Sequence, residues 1–157
     1  MSMRNRLAAA LLLCGFMTAT GAAMAADPPP AGDCFVAAFK ASDADAVAAC
    51  YAEDAIIWFP GGPMAQGRTA IRDGFAHHFS EYAIKDASLT QMGESASGDT
   101  RTTWGTYTVT SAHKTTQKES VEHGRYVDVQ RLIDGKWLYI VDHPSNDPAP
   151  AVEQAKP

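Results

Sequence analysis

Apolar positions in the first half of the chain recur at the three- and four-residue spacing that is typical of α-helices. They predict one helix over residues 33–41 and, after a break at Ser42 and Asp43, a second over residues 44–52. A third helix is predicted over residues 69–82, where apolar side chains return at helical spacing. The chain therefore begins its folded part with three short helices.

The second half of the chain changes to the two-residue alternation of β-strands. A short apolar run, 55–59, predicts a first strand before the third helix, and Gly and Pro residues end it. Asp134 and Gly135 form a tight hairpin signal. Short turns between successive strands indicate an antiparallel sheet, so we expect an α+β domain whose helices cover one face. The later strands are predicted over residues 84–92, 101–112, 118–132 and 136–142.

The two ends of the chain have a different character. Arg4 and Arg6, the apolar run after them, and the small residues at 23 and 25 have the layout of a secretory signal peptide cleaved after Ala25. The apolar run is too short to span a membrane, so we expect a periplasmic or secreted protein with no membrane partner after cleavage. The predicted organisation is a signal peptide over 1–25, a Pro-rich linker over 26–32, one domain over 33–145 and a disordered tail over 146–157.

The charge of the expected mature chain limits its partners. Cleavage after Ala25 leaves 11 Lys and Arg residues against 18 Asp and Glu residues, a formal charge of −7. Binding to a phosphate backbone needs clustered positive side chains, and no basic stripe is present. Nucleic acid is therefore not an expected partner.

The cysteines indicate a disulfide. Cys34 and Cys50 lie eight residues on either side of Ser42, so an antiparallel helical hairpin turning there would bring them to the same height. Exported proteins fold in compartments that permit such a bond, which we expect to be structural. Two buried free thiols are the alternative.

Three local patterns resemble those of a known superfamily. They are an Asp-x-Asp-Ala turn leading into Tyr-Ala-x-Asp-Ala (43–55), Gly-Arg-x-Ala-Ile-Arg (67–72), and Gly-Arg-Tyr-Val with a later Asp-Gly-Lys-Trp (124–137). In this order they resemble the nuclear transport factor 2-like superfamily, in its SnoaL-like and ketosteroid-isomerase-like branch, over roughly residues 34–148. The resemblance implies a cone-shaped, curved antiparallel sheet packed on three N-terminal helices, an enclosed apolar pocket and a homodimer. It implies no single activity, because members include isomerases, cyclases, dehydratases and subunits without activity.

The resemblance argues against one reaction. Steroid isomerases of this branch place an aspartate base before the proline of the first strand, and that position is Phe59 here. Their oxyanion-hole tyrosine falls on Phe35, while a second, protonated aspartate falls near Val127 or Asp128. Phenylalanine supplies neither a base nor a hydrogen-bond donor. Steroid isomerisation by that route is not expected.

Two residues remain as candidate catalytic groups. His78 shares a helical face with Phe75 and Tyr82, which points its imidazole toward the interior, whereas His77 is expected to face solvent and pair with Glu81. A core histidine bonded to a backbone carbonyl is the alternative role for His78. Asp142 ends the last strand, and two-residue alternation places it on the side of Leu138 and Ile140. It either faces the pocket, where it could hold His78, or caps the following turn.

The remaining site predictions concern the pocket walls and metals. His77 and His78 are adjacent on a helix and diverge by about 100°, so they cannot chelate one ion together. No Cys and His spacing resembles a zinc site, and we predict no metal and no cofactor. The side chains expected to line the pocket are Trp58, Phe59, Phe75, Tyr82, Tyr107 and Asp128.

Three functions stay open at this point. The first is an exported protein that binds a small apolar or amphipathic molecule in its pocket. The second is an isomerase, lyase or hydrolase in which His78 and Asp142 form an acid–base pair. The third is a dimeric interaction module without activity. Whether the chain is an enzyme is left undecided by its residues.

Overall fold

Three helices precede most of the sheet, as the hydrophobic pattern predicts. The structure is a computed structural model, described here for residues 27–148; the expected signal peptide and most of the expected tail lie outside those residues. The elements are α1 (Ala31–Lys40), α2 (Ala44–Ala49), β1 (Tyr51–Trp58), β2 (Met64–Gln66), α3 (Arg68–Glu81), β3 (Tyr82–Ser97), β4 (Thr100–His113), β5 (Glu119–Ile133) and β6 (Lys136–Asn146). No helix among the described residues is long and apolar enough to cross a bilayer.

The ends of the first two helices are set by different groups. The α1 helix begins at Ala31, inside the predicted linker, and the Ala31 amide donates to the Gln130 side chain over 3.1 Å. The α2 helix is capped by the Asp43 carboxylate, which accepts from the Ala46 amide at 2.9 Å. It ends at Ala49, earlier than predicted, because the next residues join the sheet.

The sheet has six strands in the order β2-β1-β6-β5-β4-β3. All neighbours are antiparallel except β1 and β6, which pair in parallel and so depart from the purely antiparallel prediction. Strand β2 lies in the region predicted to be a Gly/Pro loop. Strand β3 continues through residues 93–97, which were also predicted as loop, and turns at Gly98 with φ +61°. Strand β6 runs to Asn146, the first residue of the predicted tail.

An irregularity in β6 reverses the predicted alternation. Val129 pairs with Val141, but Gln130 pairs with Tyr139, so Ile140 is an extra residue. The bulge places Tyr139 and Asp142 on the same buried face of the strand. The prediction that Asp142 shares its side with Leu138 and Ile140 is therefore wrong.

The helices cover one face of the sheet and bury an aromatic core against it. Phe35 on α1 packs against Phe75 on α3 and Tyr139 on β6, with ring centroids 5.7 and 6.3 Å apart. The opposite face of the sheet is more open and carries several large exposed apolar side chains. They include Trp58, Trp104 and Val127.

A disulfide joins α1 to the residue that precedes β1. Cys34 and Cys50 are bonded across a sequence separation of 16 residues, with their Cα atoms 5.9 Å apart. The predicted pairing of these two cysteines is therefore the one the structure contains. The bond ties the first helix to the start of the sheet next to Tyr51.

We predict that the Cys34→Ser/Cys50→Ser double variant unfolds with a free energy about 2–3 kcal/mol lower than the parent, since the bond closes a short loop. Urea unfolding at equal pH measures the difference. The denatured, non-reduced parent should have an intact mass two hydrogens below the free-thiol value. A mass at the free-thiol value, or a double variant as stable as the parent, would contradict the prediction.

Candidate functional site

A cavity of about 310 Å³ lies between the helices and the covered face of the sheet. Its walls are largely aromatic and aliphatic, and Phe35 and Phe59 form part of them. The structure brings seven of the eight predicted catalytic and ligand-binding residues to this cavity. They are Phe59, Phe75, His78, Tyr82, Tyr107, Asp128 and Asp142.

Trp58 is the predicted wall residue that the structure places elsewhere. Its side chain is 39% exposed, and its ring lies 5.6 Å from the His143 ring. Successive residues of a strand point to opposite faces, and Ile57 occupies the inward position with 1% exposure. Assigning Trp58 to the pocket wall was therefore wrong.

Two carboxyl groups meet at one end of the cavity. Asp128 on β5 and Asp142 on β6 are direct cross-strand partners, and they are only 3% and 6% exposed. The Tyr51 hydroxyl donates to Asp142 Oδ2 over 2.6 Å. Among the described residues, the buried Oδ1 of Asp128 has no hydrogen-bond partner. The Asp128 side chain therefore faces the cavity.

The two carboxyl groups differ in protonation. Burial first, and then the neighbouring Asp142 charge, raise the pKa of Asp128 to about 10. Burial also raises the pKa of Asp142, although hydrogen bonds from Tyr51 and Asp128 oppose that rise. Asp128 therefore keeps its proton at neutral pH and acts as the donor of the pair, with Asp142 as the acceptor.

Two tyrosines of this cluster were not among the predicted site residues. The predicted second helix includes Tyr51, so the sequence does not predict its position at the start of β1. Simple two-residue alternation places Tyr139 on the side of β6 opposite Asp142, because it does not include the bulge. Both are buried, at 0% and 2% exposure, and burial raises the pKa of each hydroxyl.

His78 lies at a different part of the cavity wall. Its ring stacks between those of Phe39 and Tyr82, at centroid distances of 5.9 and 5.0 Å. The buried Nε2 atom has no hydrogen-bond partner among residues 27–148, so it makes no bond to a backbone carbonyl. Burial lowers the pKa of His78, with Glu122 and Glu81 opposing the shift, so the imidazole is neutral at pH 7.

The predicted His78–Asp142 pair does not form in the structure. Asp142 is bonded to Tyr51 instead, and His78 Nε2 is unpartnered. The two residues share the cavity but belong to separate polar groups. On the outer side of α3, His77 Nε2 lies 3.9 Å from the Glu81 carboxylate, which confirms the predicted surface pair.

The described residues contain no group of three or more His, Cys, Asp or Glu side chains that could hold a metal ion. The polar atoms that line the cavity can donate or accept hydrogen bonds. The single proton of Asp128 can be donated either to Asp142 or to a ligand, the unpartnered Oδ1 of Asp128 can accept a hydrogen bond, and neutral His78 can accept one as well. An amphipathic molecule could meet both while its apolar part contacts the aromatic walls.

We predict that Asp128→Asn reduces the dependence of stability on pH. Because the folded state raises the pKa of Asp128 from 3.8 to about 10, it binds a proton that the unfolded state releases between those values. Stability must therefore fall as pH rises, by up to about 1.4 kcal/mol per pH unit for one such proton, and asparagine removes this term. Urea unfolding between pH 5 and pH 9 measures the slope.

Asp54→Asn is the matched control, because Asp54 lies on β1 and is exposed. Its slope should equal that of the parent. Equal slopes for the parent and for Asp128→Asn between pH 5 and pH 9 would show that Asp128 ionises normally.

Comparisons with solved structures agree on the fold. A ketosteroid isomerase-like protein from Erwinia carotovora atroseptica SCRI1043 is 21% identical, with a TM-score of 0.69, covering 76% of this chain and 92% of that one. A putative dehydratase of the NTF2-like family from Streptomyces avermitilis is 16% identical, with a TM-score of 0.63, covering 76% and 93%. A putative calcium/calmodulin dependent protein kinase II association domain from Xanthomonas campestris is 26% identical, with a TM-score of 0.61, covering 75% and 84%.

Sequence comparison assigns the family. Comparison with curated proteins gives no significant match. The profile of the SnoaL-like domain matches residues 33–140. This range contains all three helices and all six strands, apart from the first two residues of α1 and the end of β6. The curved six-stranded sheet packed on three helices agrees with this match. The chain belongs to the SnoaL-like domain family, and it shares its fold with a protein of the NTF2-like family.

Proposed function

We propose that this protein binds a small amphipathic molecule in the cavity between its helices and its sheet. The observation that carries the proposal is a largely apolar cavity that has a buried carboxyl pair among its polar groups. Ligand sites in proteins commonly combine such apolar walls with a few precisely placed polar groups. The aromatic side chains would contact the ligand body, while the carboxyl pair would orient its polar end.

The charge state of the cluster restricts the polar end of the ligand. Asp128 is a neutral donor at pH 7, and its Oδ1 atom has no partner among residues 27–148. Asp142 already accepts from Tyr51. A carbonyl, ether or hydroxyl oxygen suits this end better than a carboxylate, because an anion would meet the Asp142 charge in a site of low polarity.

An enzymatic role is the second candidate, and the protonation of the cavity favours it. Neutral His78 can accept a proton, while Asp128 holds one well above its usual pKa range. Separated acid and base groups of this kind suit an isomerase- or lyase-type reaction, in which one group removes a proton and another supports the resulting oxyanion. The names of the structural neighbours, an isomerase-like protein and a putative dehydratase, are compatible with such chemistry.

A dimeric interaction module is the third candidate. The exposed face of the sheet carries Trp58, Trp104 and Val127, with exposures of 39, 40 and 50%. Such a face would suit a homodimer interface, and we propose this assembly alongside the binding function. An open cavity argues against a role in association alone, because a cavity without a ligand destabilises the domain.

We further propose that the protein is exported, with cleavage after Ala25. The basic start, the apolar run and the small residues before the cleavage point support this. A disulfide between Cys34 and Cys50 suits a compartment outside the cytoplasm. Mass spectrometry of protein isolated from the periplasm should give a chain beginning at residue 26, and a chain retaining residues 1–25 would contradict export by cleavage.

We predict that the neutral fluorophore N-phenyl-1-naphthylamine binds the parent with a stoichiometry of one per chain. Ser111→Leu should weaken binding by about tenfold or more, because Ser111 lines the cavity and is 2% exposed, so a larger side chain must enter the ligand volume. Fluorescence titration measures both affinities. Unchanged thermal unfolding would confirm that the variant remains folded.

Thr110→Leu is the matched control, since Thr110 neighbours Ser111 on β4 but does not line the cavity. Its affinity should match that of the parent. If the fluorophore does not bind, or binds both variants equally, the cavity is not the site. Native mass spectrometry of the purified protein would then show whether another small molecule accompanies the chain.

A further inference from the structure

A second cavity, of about 450 Å³, lies at the N-terminal end of α1. It is bounded by Gly32 and Asp33 on the helix and by Thr103 and Gln130 on the sheet. Its lining is more polar than that of the first cavity, and it contains neither Lys nor Arg. This cavity has no part in the binding function proposed above.

The two cavities meet at Asp128, one member of the carboxyl pair. Asp128 lines both of them, and so do Tyr126 and Tyr139 on either side of it. Val36 and Leu89 also border both spaces, so they form an apolar partition between α1 and β3. One buried carboxyl group is therefore adjacent to an apolar space on one side and a polar space on the other.

The hydrogen bonds around the second cavity leave Asp128 available. Both polar atoms of Gln130 already have partners: its Oε1 accepts from the Ala31 amide and from Arg101, and its Nε2 donates to Thr103. Asp128 Oδ1 is buried and has no partner among residues 27–148. A buried carboxyl oxygen without a partner is costly, so a molecule able to donate a hydrogen bond there would stabilise the site.

We infer that Asp128 is accessible from two sides, and that the second cavity delivers water or a small uncharged polar molecule to it while the apolar cavity holds a ligand. This inference rests on the proposed binding function for the identity of the first site. An anion is disfavoured, because Asp33 lines the second cavity and no Lys or Arg does so. The two cavities thus separate the apolar ligand from a polar co-ligand at one shared group.

Gly32 offers a way to close the second cavity. A Cβ atom at this position would lie 3.2 Å from Leu89 Cδ1 and 3.4 Å from the Tyr139 hydroxyl. Leucine at Gly32 therefore projects into the space beside Asp128, and it also suits a helix. Ser111 lines only the first cavity, so Ser111→Leu obstructs the other side.

The test places a thiol at the shared group with Asp128→Cys and measures its labelling by the small neutral reagent methyl methanethiosulfonate. Cys34 and Cys50 are joined in the disulfide, and peptide mass spectrometry identifies the labelled position. Gly32→Leu and Ser111→Leu are added separately and together. Thiol labelling depends on access. Each single leucine substitution should therefore leave the labelling rate within about threefold of that of Asp128→Cys alone, whereas both substitutions together should lower it by about tenfold or more.

The fluorophore provides an independent block of the first cavity. With Gly32 unchanged, saturating N-phenyl-1-naphthylamine should leave the labelling rate within about threefold of the rate without the fluorophore. In the Gly32→Leu variant, the fluorophore should nearly abolish labelling. Gly32→Val is the smaller alternative if leucine disturbs folding, as judged by thermal unfolding.

Two results would overturn the inference. Loss of labelling with Ser111→Leu alone, or with the fluorophore alone, would leave the apolar cavity as the single route to the thiol. Labelling that persists in the double block would show that the thiol is reached by local opening rather than through either cavity. Failure of the fluorophore to bind would count against the proposed function, whereas the comparison of leucine blocks tests the second route without any ligand.

Discussion

The extra residue in β6 determines the chemistry of the cavity. With Ile140 unpaired, Tyr139 and Asp142 both face the helices, and Asp142 lies directly opposite Asp128. A regular strand would place either the tyrosine or the carboxylate on the outer face. The bulge therefore joins two carboxyl groups that are 14 residues apart in sequence, and the parallel pairing of β1 with β6 brings the Tyr51 hydroxyl to them.

Burying two carboxyl groups among aromatic side chains is unfavourable unless their charge is reduced. The arrangement resolves this conflict by keeping one proton on Asp128 and by directing the Tyr51 hydroxyl at Asp142. His78 avoids a buried charge in a different way, because burial lowers the pKa of its imidazole and keeps the ring neutral. The cavity thus contains proton donors and acceptors at two separate places, and an oriented ligand could contact both.

The sequence predicted the layers of the fold, the disulfide and most of the cavity wall, because these features depend on periodic burial. The helical face containing Phe75 and His78 follows from a regular period over fourteen residues. Tyr51 and Tyr139 were missed for two specific reasons. A strand hydrogen bond from the Tyr139 amide to the Cys50 carbonyl ends α2 early, and the bulge shifts β6 by one residue. Both depend on contacts between distant segments, which local propensity does not encode.

Trp58 is the converse case, a residue that the sequence predicts to line the cavity and that the structure places elsewhere. Its aromatic character suggests a ligand wall, yet the inward position belongs to Ile57, and the Trp58 ring lies next to the His143 ring on the open face. When a predicted strand is too short to show a full alternating pattern, residue type alone does not determine which face of the sheet a side chain occupies.

The proton held by Asp128 also changes how the molecule behaves as a charged particle. The formal charge of −5 counts every aspartate as ionised, but the folded chain carries one negative charge fewer wherever Asp128 remains protonated. Unfolding exposes that carboxyl group and restores the missing charge. Above the pH range in which histidine titrates, folded and unfolded chains of identical composition therefore differ by this one charge, and the folded chain is the less negative particle.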